Sequence, residues 1–135
     1  MDSDEESNKL LLMTGGFGLK AMCDGRLAGV FIARAKNLGD ENLGYDLKFD
    51  EEQRKQSAHM EIAMVRKEYR GQGLQRKMME ESEQILKEQG YHYLLGTAHP
   101  DNVASVNTFL KLQYEQVMTK EKYGGMKRSI FCKEI

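Results

Sequence analysis

Residues 69–86 read YRGQGLQRKMMEESEQIL, and the interpretation of this stretch decides the fold. Gly71 and Gly73 stand directly ahead of a run of strong helix formers, where Ser, Thr, Asp or Asn would cap better. Either the glycines serve a turn, or they clear the main chain so that something can approach it. A helix start carries unpaired N–H donors and partial positive charge, which is what an anion needs. Arg70, Arg76 and Lys77 add positive charge within the same few residues. Leu74, Met78, Ile85 and Leu86, with the small Ser82, recur at helical spacing, and Gly90 closes the helix.

Working outward, AHMEIAMV (58–65) before the glycines and YHYLLGTA (91–98) after the helix are apolar runs of strand length. A strand–helix–strand unit implies two parallel strands joined by a crossover. HPDNVASVNTFLKL (99–112) opens with a turn and cap at Pro100, Asp101 and Asn102. It continues as a helix with Val103, Val106, Phe109 and Leu110 facing inward. FGLKAMCDGRLAGVFIAR (17–34) forms a hairpin about Asp24-Gly25, and YEQVMTKEKY and MKRSIFCKEI form a second about Gly124-Gly125. Between the first hairpin and the first parallel strand, residues 35–56 read as a long polar loop with one helical turn near Asp50 to Lys55. A loop of that length is functional or mobile. The expected fold is α/β (α+β): a mixed, mostly antiparallel sheet with a central βαβ unit, packed by helices on both faces.

The 135 residues fit one compact domain. Residues 1–16 are set apart as an acidic segment in which Ser3 and Glu6 suggest a capping box and a short helix; residues 17–135 form the domain. Its apolar run, Leu10 to Met13, is too short for a signal peptide or a membrane span. A formal net charge of −1 gives no general attraction to nucleic acid or to an anionic membrane. Cys23 and Cys132 form neither a disulfide framework nor a metal-ligand pair, so a reducing cytoplasm is expected. His92 and His99 have no ligand partners at metal spacing, and no metal is expected. Met60, Met64, Met78 and Met79 read as adaptable core.

Two familiar phosphate loops fail here. A dinucleotide fingerprint needs a third glycine where Arg76 stands, and a Walker A loop needs Lys then Ser or Thr where Leu74-Gln75 stands. What fits is Arg70-Gly71-Gln72-Gly73-Leu74-Gln75, followed some twenty-five residues later by Asn102, Ser105 and Phe109. These two separated signatures resemble the GNAT superfamily of acyl-CoA-dependent N-acyltransferases. Arg70 and Gly73 match the family's Arg/Gln-x-x-Gly-x-Gly/Ala, while Gln75 replaces its last small residue.

The resemblance implies acetyl-CoA as cosubstrate and direct attack of a primary amine on its thioester. The strands at 61–65 and 94–98 would splay, with pantetheine pairing along Met64 and Val65. Arg70, Gly71, Gln72, Gly73, Leu74 and Gln75 would hold the pyrophosphate, Asn102 the pantetheine arm, and Ser105 would lie near the thiol. Glu61 is the candidate general base, against the plainer reading of a Glu alternating outward on its strand. His59 is a weaker candidate, better read as a surface histidine at a strand start. Phe109 stands where relatives carry a Tyr acid; Ser105, Tyr114 or Tyr123 could replace it, with Tyr114 better read as packing.

The acceptor, a small molecule or a peptide amine, is not legible, nor is the oligomeric state. Little chain precedes Phe17 compared with the family's usual strand and helix. An exposed sheet edge is therefore expected, which pairing with a second copy would cover. Two other readings are a GNAT-like module that holds acyl-CoA without catalysis, and an unrelated α/β domain whose glycines only turn the chain.

Overall fold

The computed structural model describes residues 16–35, 38–122 and 124–135, so the expected N-terminal helix and Tyr123 lie outside the described residues. Strand β1 (Gly16–Cys23) turns at Asp24 and Gly25 into β2 (Arg26–Arg34). Both turn residues have positive φ, 51° and 75°, the conformation that matches strand twist in a two-residue hairpin. After α1 (Glu51–Lys55) come β3 (Ser57–Val65), α2 (Leu74–Glu88), β4 (Tyr93–Ala98), α3 (Val103–Lys111), β5 (Glu115–Lys122) and β6 (Met126–Glu134). The sheet order is β1-β2-β3-β4-β6-β5, and only β3 and β4 run parallel. Gly90, with φ 93°, follows the end of α2 as expected of a glycine stop.

The two faces of the sheet are covered differently. Adjacent residues Leu94 and Leu95, and Ile130 and Phe131, fall into opposite apolar clusters, as strand alternation requires. On one face Met78, Met79 and Leu86 of α2 and Phe109 of α3 pack with Phe31, Met60, Leu94 and Phe131. Ser82 is also buried, and its hydroxyl donates to the Met78 carbonyl one turn back. On the other face Leu43, Leu47 and Phe49 from the connection between β2 and β3 cover Leu95 and Ile130.

That connection is not the open polar loop its composition suggests. It contains the 3-10 turns Gly39–Glu41 and Leu43–Tyr45, and then α1, closed by a capping box between Asp50 and Gln53. Asn42, at 7% exposure, accepts from the Gly44 amide and donates to the Arg54 carbonyl. The Arg54 guanidinium lies 4.2 Å from the Tyr45 ring centroid, a cation–π contact. Asp46 ties the segment to β5 through Lys120 and Lys122, at 2.8 and 2.7 Å.

Two further expectations are corrected. Val103 and Leu110 point to solvent rather than inward, at 63% and 45% exposure. The α3 face pressed on the sheet is set by Phe109, which stacks on Phe131 at 4.5 Å and meets Tyr114 edge-on at 5.0 Å; seven residues apart, Val103 and Leu110 share another stripe. Met64 is no core residue either: at 63% exposure it lies beyond the last pairing of β3 with β4.

Candidate active site

The parallel pairing of β3 and β4 stops at His59 and Leu95, although the strands run on to Val65 and Ala98. Beyond that point β4 stays with β6 and β3 with β2, and along the freed end of β3 lies a cleft of about 1130 Å³ lined by β2, β3, the loop into α2, and α3. All ten residues expected around a cofactor line this cleft: Met64, Val65, Arg70, Gly71, Gln72, Gly73, Leu74, Gln75, Asn102 and Ser105.

At the head of the cleft, Gly71 and Gly73 have φ of 82° and 75°, values glycine adopts without steric cost. The first helical bond of α2 is from the Lys77 amide to the Gly73 carbonyl. Among the described residues, the main-chain N–H groups from Gly71 to Arg76 have no protein acceptor. A Cβ at Gly71 would meet nothing within 4 Å, and at Gly73 only Arg76 Nη2 at 4.0 Å. The protein leaves open space there. Arg70 Nε donates to the Val65 carbonyl at 3.0 Å and Arg66 Nε to the Leu27 carbonyl at 2.7 Å. Neither guanidinium has a carboxylate partner among the described residues. Asn102 caps α3 by accepting from the Ser105 amide at 3.2 Å, which explains their three-residue spacing and leaves the Asn102 NH₂ to donate elsewhere.

Glu61, two positions past the last β3–β4 pair, stands at the closed end of the wedge but does not itself line this cleft. Ile32 pairs with Ile62 but Ala33 with Met60, so Glu61 is the extra residue of a β-bulge, a device that re-aims a side chain. Its carboxylate stands 3.5 Å from His59 Nδ1 and 3.5 Å from Arg34 Nη1. The His59 N–H first, and then the Arg34 charge, hold it below the usual carboxylate range against the opposing effect of burial. His59 is not a surface residue: it is buried, and its Nε2 accepts from the Leu43 amide at 3.0 Å. A His and a Glu two positions apart on a strand are legible in sequence; the bulge, Arg34 and Leu43 are not.

The other acid candidates separate. Ser105 lines the cleft. Phe109 is core and carries no hydroxyl. Tyr114 is buried with its hydroxyl unpaired beside Glu83, whose Oε2 is likewise unpaired; burial and then the Glu83 charge push the phenol far up. Tyr114 is packing, as its sequence context suggested.

Comparison with known proteins agrees with this geometry. The family model described as Acetyltransferase (GNAT) family matches residues 3–114. No curated protein matches by sequence. Among solved structures, yncA from Salmonella typhimurium, determined with its cofactor acetyl-CoA, superposes with TM-score 0.71 at 16% identity, over 96% of this chain and 68% of that one. Ribosomal-protein-alanine N-acetyltransferase from Brucella melitensis gives 0.71 at 18%, over 98% and 79%. IAA acetyltransferase from Bacillus cereus gives 0.72 at 11%, over 98% and 87%. At such identities these likenesses speak for the fold alone.

Proposed function

The chain belongs to the acetyltransferase (GNAT) family, and from that premise we propose that it transfers an acetyl group from acetyl-CoA to a primary amine by direct attack on the thioester. The observation that carries this reading is the row of free amide donors from Gly71 to Arg76, opening onto a cleft bordered by the unpaired edge of β3. Acetyl-CoA fits those features: its diphosphate takes the amides at the start of α2, and its pantetheine amides take the open strand edge. When bound, it supplies an activated acyl carbon and a thiolate leaving group.

The residues of the chain bind, aim and accept protons. Gly71 to Gln75 and Arg70 hold the diphosphate, Met64 and Val65 the arm, and Asn102 donates its amide to the same arm. In the reaction a nitrogen–carbon bond forms, the carbon–sulfur bond breaks, and the amine loses a proton while the thiolate gains one. Glu61, ionised at the closed end of the wedge, takes the amine's proton, directly or through water; an alkylamine with pKa about 10.4 arrives mostly protonated, so an acceptor is needed. Ser105, a lining residue of the cleft, donates toward the sulfur, and Tyr123 is the alternative.

A second reading, a module that holds acyl-CoA without turnover, is favoured by Phe109 standing where the family carries an acid. Two measurements separate them. Acetyl-CoA at 100 times its Kd should add about 2.7 kcal/mol of stability in thermal unfolding, and no shift at millimolar ligand defeats both readings. Thiol release over a panel of polyamines, amino acids, aminoglycosides and peptides then reports catalysis; binding without release from any amine leaves only the holder.

A further inference from the structure

The connection between β2 and β3 touches Glu61 by two routes. Arg34 Nη1 stands 3.5 Å from Glu61 Oε1 and 3.5 Å from Glu41 Oε2 in the first 3-10 turn. His59 stands between Glu61 Oε2 and the Leu43 amide, which opens the second turn. Because Nε2 accepts from that amide, it holds a lone pair, and the ring proton sits on Nδ1, facing the carboxylate. A residue that only anchored a loop would need one polar atom. His59 uses both ring nitrogens, and the second is spent on the carboxylate at the closed end of the wedge.

The same connection runs on to Asp46, held by Lys120 and Lys122 next to the turn between β5 and β6. It therefore spans the sheet face opposite α2 and α3, from Glu61 to the last hairpin. No residue of 39–49 lines the cleft given to the cofactor, so this segment flanks Glu61 without bordering the cofactor's space.

We infer that His59 is a positioning residue that couples the 39–49 segment, as the wall of the acceptor site, to the Glu61 carboxylate, so that wall and proton acceptor keep one fixed spacing. The role assigned to Glu61 rests on the function proposed above; the coupling itself is measurable without turnover. Asn and Gln divide the two nitrogens. His59→Asn keeps a donor near Nδ1 and loses the acceptor at Nε2, whereas His59→Gln reaches the Leu43 amide and loses the donor to Glu61.

In the unsubstituted protein, imidazole ¹⁵N resonances should show the Nδ1-protonated tautomer and the Leu43 amide should be protected from exchange. His59→Asn should speed Leu43 exchange about tenfold, the equivalent of one hydrogen bond, and leave the Glu61 carboxyl ¹³C titration in place. His59→Gln should keep Leu43 protected and raise the Glu61 midpoint toward its ordinary 4.5. An Nε2-protonated tautomer, or either variant leaving its own readout unmoved, overturns the coupling. Should these variants fail to fold, Glu61→Gln carries the test: it must shift the His59 Nδ1 resonance with Leu43 still protected, and an unmoved resonance overturns it. With the panel's fastest amine, His59→Asn should raise the acceptor KM more than it lowers kcat, and an unchanged KM overturns the wall assignment. No thiol release from any amine, with the resonance results intact, would instead refute the function proposed for the site.

Discussion

Gly96 is where α3 comes down onto the sheet. A Cβ there would sit 2.6 and 2.8 Å from Phe109 Cζ and Cε1, and Phe109 cannot retreat because its other side is stacked on Phe131. Gly96→Ala should therefore cost about 1–3 kcal/mol in chemical unfolding, as overpacking does. Adding Phe109→Leu should recover part of the loss, the coupling expected of residues in contact. Gly73 carries the opposite kind of constraint, free space in front of a positive φ of 75°. Gly73→Glu should leave a folded protein whose affinity for acetyl-CoA falls at least about a hundredfold, because a carboxylate then stands where the diphosphate goes; calorimetry with retained affinity would reject the assignment. At Glu61 the sign of the pH effect follows from the lowered pKa. The carboxylate accepts protons above that value, so the acidic limb that Glu61 contributes to the rate should lie below 4.5 and vanish in Glu61→Gln, with acetyl-CoA affinity retained.

At the scale of elements, the 39–49 segment is held from both ends. Asp46 is pushed up by burial, but the hydrogen bonds from Lys120 and Lys122, with their charges, outweigh this and leave it below its ordinary 3.8. A depressed pKa means stability that is present above the unfolded value and lost as pH falls through the folded one. Asp46→Asn should thus destabilise by about 1–2 kcal/mol near neutrality, given that Lys120 is 44% exposed, and the difference should close in acid below 3.8. Equal unfolding curves at pH 7 would show the tether to be idle. The positions of β1 to β6 and of all three described helices were legible from alternation, helical spacing, Asp24-Gly25, Gly90 and the Asn102 cap. The packing of the 39–49 segment was not, because its polar residues bond to Arg54, His59 and β5, far along the chain. The inward face of α3 was half legible: periodicity marks an apolar stripe, but Gly96 decides which residue lies on the sheet.

On the scale of the molecule, the sheet is two units that share three parallel residue pairs, Ser57 to His59 with Tyr93 to Leu95, and separate beyond them. The cleft lies beside that separation; its lining shares Ala63, Val65, Tyr69 and Leu74 with the apolar cluster under α2 and α3 and no residue with the one under the 39–49 segment. Leu43→Ala, in the second cluster at 2% exposure, should cost about 2–4 kcal/mol and weaken acetyl-CoA binding only through the unfolded fraction, so that affinity measured well below the melting temperature is unchanged. Loss of affinity in the folded variant would show that the second cluster sets the cleft directly.

The sequence by itself determined the element order, the turn residues and the helix start whose glycines expose amides, because these depend on local steric and hydrogen-bonding preferences within a few residues. Through its family resemblance it also supplied ten of the residues that line the cleft: eight lie on a strand, loop and helix consecutive in the chain, and Asn102 and Ser105 on the helix after β4. Only the tertiary structure decided that Glu61 sits in a bulge, that His59 is buried between it and Leu43, and that Asp46 reaches β5. Those placements join residues up to 76 positions apart, and they arise from strand register and from burial against distant elements, which no local preference encodes.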